Sequence, residues 1–490
     1  MTDDPVYPLR WFLARFGAGA ALDDLPALAG DPEEGARLAG GDIVLPSGDV
    51  DAAPGTTIFD VAPRGAADVE AIHSHAWLPA LAAHDPAKAA AWLGHWMRGV
   101  SKEALGAAVT AQRLAIWLAP PPELRAALSS NEAKAFDRLR TRQLRYLAKI
   151  DAPTPLSAFQ AQCTLWAAAI QRGHTTRPGT FDAALGALFP QGELTTRQPA
   201  DLVRMLDALR LPRAALTAQN QPADEVLEIT VHRLVPMIRA LRMGDGRMAR
   251  FHGMGLPAAR VDRALVAARF RGDALPQRVS GFHRISGGRT KIVADAGPTP
   301  PEGHHSGLAF ELSVGRRPLV VNCGEGHGPG WQAALRRPAA HSGPELPDRA
   351  FEGAETHHHD THGGSWLTMV QDPIRRALFV THDGALVWGE DHVLREVQRL
   401  RFHLHPDVTA TQDDTAINLT LGSGEIWHFG LHGGTARLET SVYLSAGHSR
   451  ETRQIVVIPN DIGYGSGIEW SFSREGGGPD KTVRDPVPRL

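Results

Sequence analysis

Residues 308–323 read LAFELSVGRRPLVVNC, with apolar side chains alternating along both runs that flank a central Gly-Arg. A period of two is typical of strands with one buried face. A tight turn at Gly315-Arg316 would join the two runs into a hairpin. One face of that hairpin is then wholly apolar and consists of Leu308, Phe310, Leu312, Leu319, Val321 and Cys323. The stretch therefore predicts an antiparallel hairpin in a β-rich core, with the Cys323 side chain buried as a small apolar group.

The sequence after this hairpin has the same character. Residues 377–388 repeat the design around His382-Asp383-Gly384, and we expect further strands at residues 400–404, 416–421, 425–429, 438–444, 454–458 and 468–472. Gly-rich turns separate these runs, and no helical pattern lies between them. Many short strands without intervening helices favour an antiparallel β-sandwich.

The sequence before Gln277 has a helical period instead. We expect helices at residues 77–100, 101–118, 122–150, 156–172, 199–211, 224–243 and 258–270. Breaks such as Pro120-Pro121-Pro122 and Gly244-Asp245-Gly246 end the helices, and the short links predict antiparallel helical hairpins. Three tryptophans stand among aliphatic residues and are expected in the helical core, namely Trp92, Trp117 and Trp166.

Composition limits the class of protein. A chain of 490 residues is longer than one core usually fills, so we expect two domains of roughly 200 residues or more. The balance of 51 Lys and Arg against 54 Asp and Glu gives no electrostatic basis for binding nucleic acid or an anionic membrane. With only 2 Cys, a disulfide framework is not expected. The N-terminal sequence lacks the pattern of a secretory signal, which predicts a cytoplasmic protein.

The densest histidine run is His357-His358-His359-Asp360-Thr361-His362. We expect an exposed loop here, with metal binding or proton transfer as alternatives. An extended backbone would place His357 and His359 on one face and His358, Asp360 and His362 on the other. Either face would offer two or more metal ligands.

Several short segments resemble one superfamily. They are residues 59–62 (FDVA), 112–118 (QRLAIWL), 197–199 (RQP), 244–246 (GDG), 280–284 (SGFHR), 304–311 (HHSGLAFE), 320–324 (VVNCG), 340–342 (AHS) and 401–406 (RFHLHP). Through them the chain resembles the heparinase II/III-like polysaccharide lyases over about residues 55–475. The resemblance implies an α+β multidomain fold, with an N-terminal incomplete (α/α) toroid followed by a C-terminal antiparallel β-sandwich. Its expected boundaries are an extension at 1–54, the toroid at 55–273, the sandwich at 274–475 and a flexible tail at 476–490.

The resemblance also implies a reaction, the β-elimination of a uronic-acid-containing glycan. A base removes the C5 proton of the uronate, an acid protonates the leaving O4, and donors or a cation hold the C5 carboxylate. The toroid stretch that carries Asn or Asn-His in characterised lyases holds Gln160 here. The place of the toroid Tyr falls on Asp201, and that of a sandwich His falls on Glu302.

The superfamily further holds a structural zinc ion through a His, an Asp and a distant His. The corresponding residues are His304, Asn322 and His341. An Asn carbonyl is a weaker zinc ligand than a carboxylate. Ideal hairpin parity would place His304 and Asn322 on opposite faces of the sheet, so only a bulge or a folded-back loop would bring them together.

Two functional hypotheses follow. The first is a lyase acting on an acidic oligo- or polysaccharide, with a proton acceptor from among His304, His341 and His359. Its substrate-binding residues would come from Arg113, Arg197, Gln160, Asp201 and Arg284. We expect no required cofactor, and a structural zinc is the alternative that the resemblance offers. The resemblance likewise offers a periplasmic location as the alternative to the cytoplasm. The second hypothesis is a non-catalytic glycan-binding or cell-envelope-associated protein on an inherited lyase fold.

Overall fold

A computed structural model describes residues 7–15, 22–53, 55–253, 255–270, 272, 274–324, 329–372, 374–392, 397–414, 416–445, 448–460 and 467–476. The chain forms two compact units. The first comprises residues 1–191, 201–235 and 263–271, and the second comprises residues 192–200, 236–262 and 272–490. The predicted boundaries at 55, 274 and 476 stay predictions, and the predicted tail lies, beyond Gly476, outside the described residues.

Helices dominate the chain before residue 270. They are α1 (Tyr7–Leu13), α2 (Pro32–Gly40), α3 (Ala66–His73), α4 (Leu78–His84), α5 (Pro86–Arg98), α6 (Ala107–Trp117), α7 (Pro122–Ala127), α8 (Ser130–Leu147), α9 (Pro155–Ile170), α10 (Gly179–Leu188), α11 (Pro199–Ala218), α12 (Glu225–Leu241) and α13 (Ala258–Ala268). A short hairpin of β1 (Asp42–Leu45) and β2 (Gly48–Asp51) follows α2. No helix in the described part of the chain is long and apolar enough to span a membrane.

Two of the predicted helices are each divided in the structure. Asp85 accepts a hydrogen bond from the backbone N–H of Lys88, which caps α5 and separates it from α4. Ser129 and Glu132 form a capping box that begins α8 after α7 has ended. Helix α10 lies where no helix was predicted, because its glycines lower the helix propensity of the segment.

The core of the first unit is rich in tryptophan. The indole rings of Trp96 and Trp117 meet edge to face with centroids 5.5 Å apart, and Phe136 packs on Trp117 at 4.8 Å. Trp92 is 6% exposed, Trp117 0% and Trp166 1%, so the expected core positions of all three are confirmed.

The second unit contains the antiparallel sheets. Its strands are β3 (Arg278–Val279), β4 (Phe282–Gly287), β5 (Thr290–Asp295), β6 (Phe310–Val314), β7 (Arg317–Val321), β8 (Gly343–Pro344), β9 (Glu355–Asp360), β10 (Gly364–Gln371), β11 (Ile374–Thr381), β12 (Leu386–His392), β13 (Leu400–Leu404), β14 (Thr409–Asp413), β15 (Ala416–Thr420), β16 (Ile426–His432), β17 (Gly434–Ser445), β18 (His448–Pro459) and β19 (Gly467–Arg474). A short helix, α14 (Pro329–Leu335), follows β7.

These strands form two sheets with one apolar core. Sheet A has the spatial order β14-β15-β16-β19-β12-β11-β10-β9, and sheet B has the order β17-β18-β13-β7-β6-β5-β4-β3, with β8 paired to β13. One buried cluster contains side chains from both sheets, including Phe310, Phe402, Leu367, Trp427 and Trp470. The predicted fold class, helices followed by antiparallel sheets, is therefore confirmed.

The hairpin of β6 and β7 departs from ideal pairing at one point. Val314 pairs with Arg317 and Ser313 with Pro318, but Leu312 pairs with Val320 across a β-bulge. A shift of one residue exchanges the faces of a strand. Val320 consequently joins the sandwich core, whereas Cys323 packs in a separate small cluster. The wholly apolar face predicted for Val321 and Cys323 was therefore wrong, although Cys323 is buried as expected.

The histidine run also differs from its prediction. Residues 355–360 form strand β9 rather than a loop, and β9 is the last strand of sheet A. His358 is opposite Leu367 in the core and His359 is opposite Trp366 on the outer face, so the predicted alternation along the strand is correct. His362 lies beyond the end of the strand.

Candidate functional site

Arg113, a predicted carboxylate-binding residue, lies on α6 in the core of the first unit and is 0% exposed. Its Nε donates to Gln143, its Nη1 to the carbonyl of His73, and its Nη2 to the carbonyl of Ala104. Burial lowers the pKa of Arg113 to about 9. These hydrogen bonds connect Arg113 to other parts of the same core. They do not support the prediction that Arg113 binds a substrate carboxylate, which stays a prediction.

Arg197 lies in the second unit and is also internal, at 5% exposed. Its Nε donates to the carbonyl of Ser280 at 2.8 Å and its Nη1 to the carbonyl of Pro298 at 2.6 Å. Its Nη2 forms an ion pair with Asp295. A Cβ atom on Gly297 would lie 2.4 Å from this Nη2, so the guanidinium needs glycine at that position. All three nitrogens of Arg197 are thus committed within the unit.

Asp295 at the end of β5 is the centre of these contacts and is 0% exposed. Its Oδ1 also accepts the backbone N–H of Gly297, and its Oδ2 accepts the hydroxyl of Ser306 at 2.6 Å. Burial alone would raise the pKa of Asp295, but Arg197 and His252 outweigh burial and hold that pKa below its usual range. The carboxylate is therefore an ionised structural anchor at neutral pH.

His252 connects Asp295 to the first predicted catalytic histidine. Its Nδ1 accepts the backbone N–H of His304 at 3.2 Å, and a backbone N–H can only donate. Neutral His252 therefore carries its proton on Nε2, which lies 3.1 Å from the Asp295 carboxylate. Burial lowers the pKa of His252, which favours this neutral form. His252 fixes the backbone at His304.

His304 and His341 are both buried, at 6% and 3% exposed, and their ring centroids lie 5.4 Å apart. Burial is the largest cause that lowers the pKa of His304, to about 3. Burial also holds the pKa of His341 well below its ordinary value. Neither ring nitrogen of His341 has a hydrogen-bond partner among the described residues. Two neutral imidazoles therefore lie side by side.

Asn322, the third residue implied for zinc, does not complete a metal site with these histidines. Its Oδ1 accepts the backbone N–H of Ser342 at 2.9 Å, and its Nδ2 donates to the carbonyl of Arg250 at 3.1 Å. A structural zinc site is normally closed by four ligands, and the two imidazoles alone fall short of that number. The predicted zinc set therefore does not fit the residues as they are arranged.

Glu311 on β6 lies behind Asn322 and was not predicted as a site residue. It is 2% exposed and accepts the backbone N–H groups of Arg250 and Asn322, both at 3.1 Å. Burial raises the pKa of Glu311 to about 7, although the nearby Arg250 guanidinium lowers it. This carboxyl group therefore changes its charge near neutral pH.

The remaining predicted site residues are dispersed. Gln160 on α9 is half-buried in the first unit. Asp201 belongs to the same unit, is 2% exposed and pairs with Arg204. Arg284 on β4 is half-buried, and its Nε has no hydrogen-bond partner within the described chain. His359 is exposed on β9.

Among the predicted residues, the structure brings together Arg197, His304 and His341, through His252 and Asp295. The sequence contained a weak signal for Asp295, since an acid that ends an apolar strand before Gly297-Pro298 needs a buried partner. His252 follows an irregular segment and had no such signal.

The chain is similar to a known protein family and to a curated bacterial protein. Residues 272–471 match the family model described as "Heparinase II/III-like, C-terminal". FtsZ-localized protein C from Caulobacter vibrioides (strain NA1000 / CB15N) is 27% identical over 520 residues, covering 91% of this chain and 89% of that protein.

Two solved structures share the fold at low sequence identity. A crystal structure of heparinase III matches with a TM-score of 0.63 and 11% identity, covering 97% of this chain and 90% of that chain. Heparan sulfate lyase HepC from Pedobacter heparinus matches with a TM-score of 0.56 and 14% identity, covering 96% of this chain and 87% of that chain. The chain therefore shares the fold of these two lyases, and its residues 272–471 are similar to the C-terminal region of heparinase II/III-like proteins.

Proposed function

We propose that the protein is a lyase that cleaves an acidic, uronic-acid-containing oligo- or polysaccharide by β-elimination. The observation that carries the proposal is the family match over residues 272–471. The fold of heparinase III, which matches nearly the whole of this chain, supports it. Fold alone does not determine chemistry, so the proposal also depends on a suitable proton acceptor.

His304 is the proton acceptor that we propose. A general base must be unprotonated at the working pH, and burial, which lowers the pKa of His304 to about 3, keeps its imidazole neutral. An imidazole with so low a pKa is a weak base, so the proposal requires the negative charge of a bound uronate to raise that pKa towards the working pH. The hydrogen bond from its backbone N–H to His252 fixes its position. His341 is less suitable because it is only 3% exposed. His359 is exposed, but it lies on the edge strand of the other sheet.

The substrate carboxylate needs a cation or hydrogen-bond donors. Arg113 and Arg197 have all their guanidinium nitrogens committed to internal acceptors. Arg284 is the better candidate, because its buried Nε has no partner among the described residues. A buried donor without a partner costs about 1–3 kcal/mol, which an incoming carboxylate would recover.

The test is to incubate the purified chain with a panel of uronate glycans and to follow the absorbance of the unsaturated product. We expect His304→Gln to lower the rate by about 10²–10⁴-fold, as for loss of a general base. The matched control is His305→Gln, which alters the neighbouring half-exposed residue, paired with Asp348, and should keep the rate. No product from any glycan, with measurable glycan binding, would exclude the lyase.

A second candidate function is a non-catalytic glycan-binding protein, and one observation favours it. Glu302, on which the resemblance places a sandwich His of the superfamily, has a 91% exposed side chain paired with Arg336. A carboxylate there replaces the imidazole that the superfamily has at this place. The relative from Caulobacter vibrioides is named for its localisation with FtsZ rather than for an activity. Binding without product in the assay above would favour this candidate.

A further inference from the structure

Strand β9 has a free edge. It pairs antiparallel with β10 on one side and is the terminal strand of sheet A, so in the described chain no strand pairs with its other side. An edge of this kind presents backbone N–H and C=O groups that a further strand can pair with. Its sequence, ETHHHD, contains neither the Lys nor the Pro that commonly blocks such pairing.

The two faces of β9 differ in what they contact. His358 points to the inner side, where its Nε2 lies 2.9 Å from Nδ1 of His283 on β4. His357 and His359 are therefore on the outer face, together with Glu355. The side chain of His357 is 40% exposed, and His359 is exposed. Two accessible imidazoles thus lie on one face of an edge strand at positions i and i+2.

This pair is suited to a metal ion but is incomplete in one chain. Imidazole nitrogens are common ligands of zinc and related divalent transition cations. The Glu355 carboxylate lies 3.4 Å from Nε2 of His357 and places a negative charge beside the ring. Nevertheless, the described residues of one chain contain no group of three or more His, Cys, Asp or Glu side chains arranged to hold a metal. Further ligands for this pair would therefore come from outside the described residues of one chain.

We propose that β9 binds a divalent transition cation such as zinc between two copies of this chain, with His357 and His359 of each copy as ligands. In this arrangement β9 pairs antiparallel with β9 of the second copy, and the pairing is centred on His358. His357 of each copy then lies opposite His359 of the other copy. Facing Cβ atoms across such a pair are about 4.5–5.5 Å apart, and side chains two residues apart are separated by roughly 6.6 Å. Four imidazoles at these spacings surround one point above the sheet, as tetrahedral zinc with Zn–N near ~2.0 Å requires.

The dimer should depend on the metal. A six-residue strand edge buries far less than the roughly 1,200–2,000 Å² of a stable protein interface, so backbone pairing alone is insufficient. Twofold symmetry makes each strand contribute the same two ligands, which is the commonest arrangement in homodimers. The expected stoichiometry is one cation for two chains. This inference is independent of any lyase activity.

The experiment uses the untagged full chain in sedimentation velocity, with zinc chloride or with EDTA, and measures bound zinc by mass spectrometry. We expect a monomer in EDTA, and a dimer with one zinc per two chains when zinc is added. The double variant His357→Gln/His359→Gln should reduce the zinc-dependent dimer at least tenfold. Both positions are accessible, so the variant should melt like the parent, which circular dichroism would check.

The matched control is His362→Gln, which changes a histidine of the same run that lies beyond the end of β9. It should form the zinc-dependent dimer like the parent. The proposal is overturned if zinc leaves the chain monomeric, if the dimer persists in EDTA, or if the double variant dimerises as the parent does.

Discussion

Replacing Arg197 by methionine would remove the cation from a carboxylate that has almost no access to water. The side chain of Asp295 is 1% exposed, and after the substitution its partners among the described residues would be Ser306, Gly297 and His252. Breaking a buried ion pair by removing one partner typically costs about 3–5 kcal/mol. The carbonyls of Ser280 and Pro298 also lose their donors, which places the expected cost in the upper part of that range.

A nearby ion pair provides the matched control. Arg278 pairs with Glu193 at 3.0 Å and joins the same two segments of the second unit, but these side chains are 60% and 46% exposed. Exposed pairs contribute about 0–1 kcal/mol, so Arg278→Met should change stability little. The difference between the two variants therefore measures the effect of burying an ion pair, because both pairs join the same two segments.

The assay is urea denaturation of each variant, comparing midpoints after checking that the slopes agree. The two units can unfold in separate transitions. The midpoint to compare in every variant is that of the transition that Arg197→Met shifts. The double variant Arg197→Met/Asp295→Asn should recover part of the loss, because no uncompensated charge stays buried. Equal shifts for Arg197→Met and Arg278→Met would refute the reasoning.

Three further predictions concern buried groups. Glu311 has a pKa of about 7 in the folded state against 4.5 in the unfolded state, so the folded state binds more protons between these values. Its stabilising contribution is therefore complete below pH 4.5 and is lost as the pH rises to about 7. The thermal unfolding midpoint, measured from about pH 4.5 to 8, should decline less in Glu311→Gln than in the parent. Burial raises the pKa of the Cys323 thiol to about 11 and that of Cys163 well above its ordinary value, so a thiol reagent at pH 8 should label neither residue in the native protein and both in urea. A Cβ atom on Gly389 would lie 2.1 Å from the Trp470 ring, so Gly389→Ala should cost about 1–3 kcal/mol of stability, measured by the same denaturation.

The elements of the fold could be predicted because their patterns are local. Alternation around Gly315 was sufficient to place β6 and β7, but not to predict the bulge after Leu312, since a bulge depends on packing from other strands. The same limit applies to β9, where three successive histidines give no apolar alternation although the chain is extended. Register and edge position are properties of the whole sheet.

The candidate site was less predictable because its chemistry depends on burial. Arg197 has the residue type that would bind a substrate carboxylate, yet its position among Asp295, Ser280 and Pro298 commits it to internal acceptors. Sequence identifies which side chains can ionise, but not which of them face solvent. His252 was not found for the same reason, since its significance lies in two hydrogen bonds to residues far along the chain.

The composition of the second unit has a practical consequence for fragment design. Residues 192–200 and 236–262 belong to that unit although they precede most of its strands by many residues. A fragment that begins at residue 272 contains the whole family match but lacks Arg197, His252 and Arg250. It would leave Asp295 without Arg197 and His252, and Glu311 without the backbone N–H of Arg250. Failure of such a fragment to fold would therefore say nothing against the sandwich, because the parts of the unit extend over residues 192–490 and a fragment from residue 272 omits two of them.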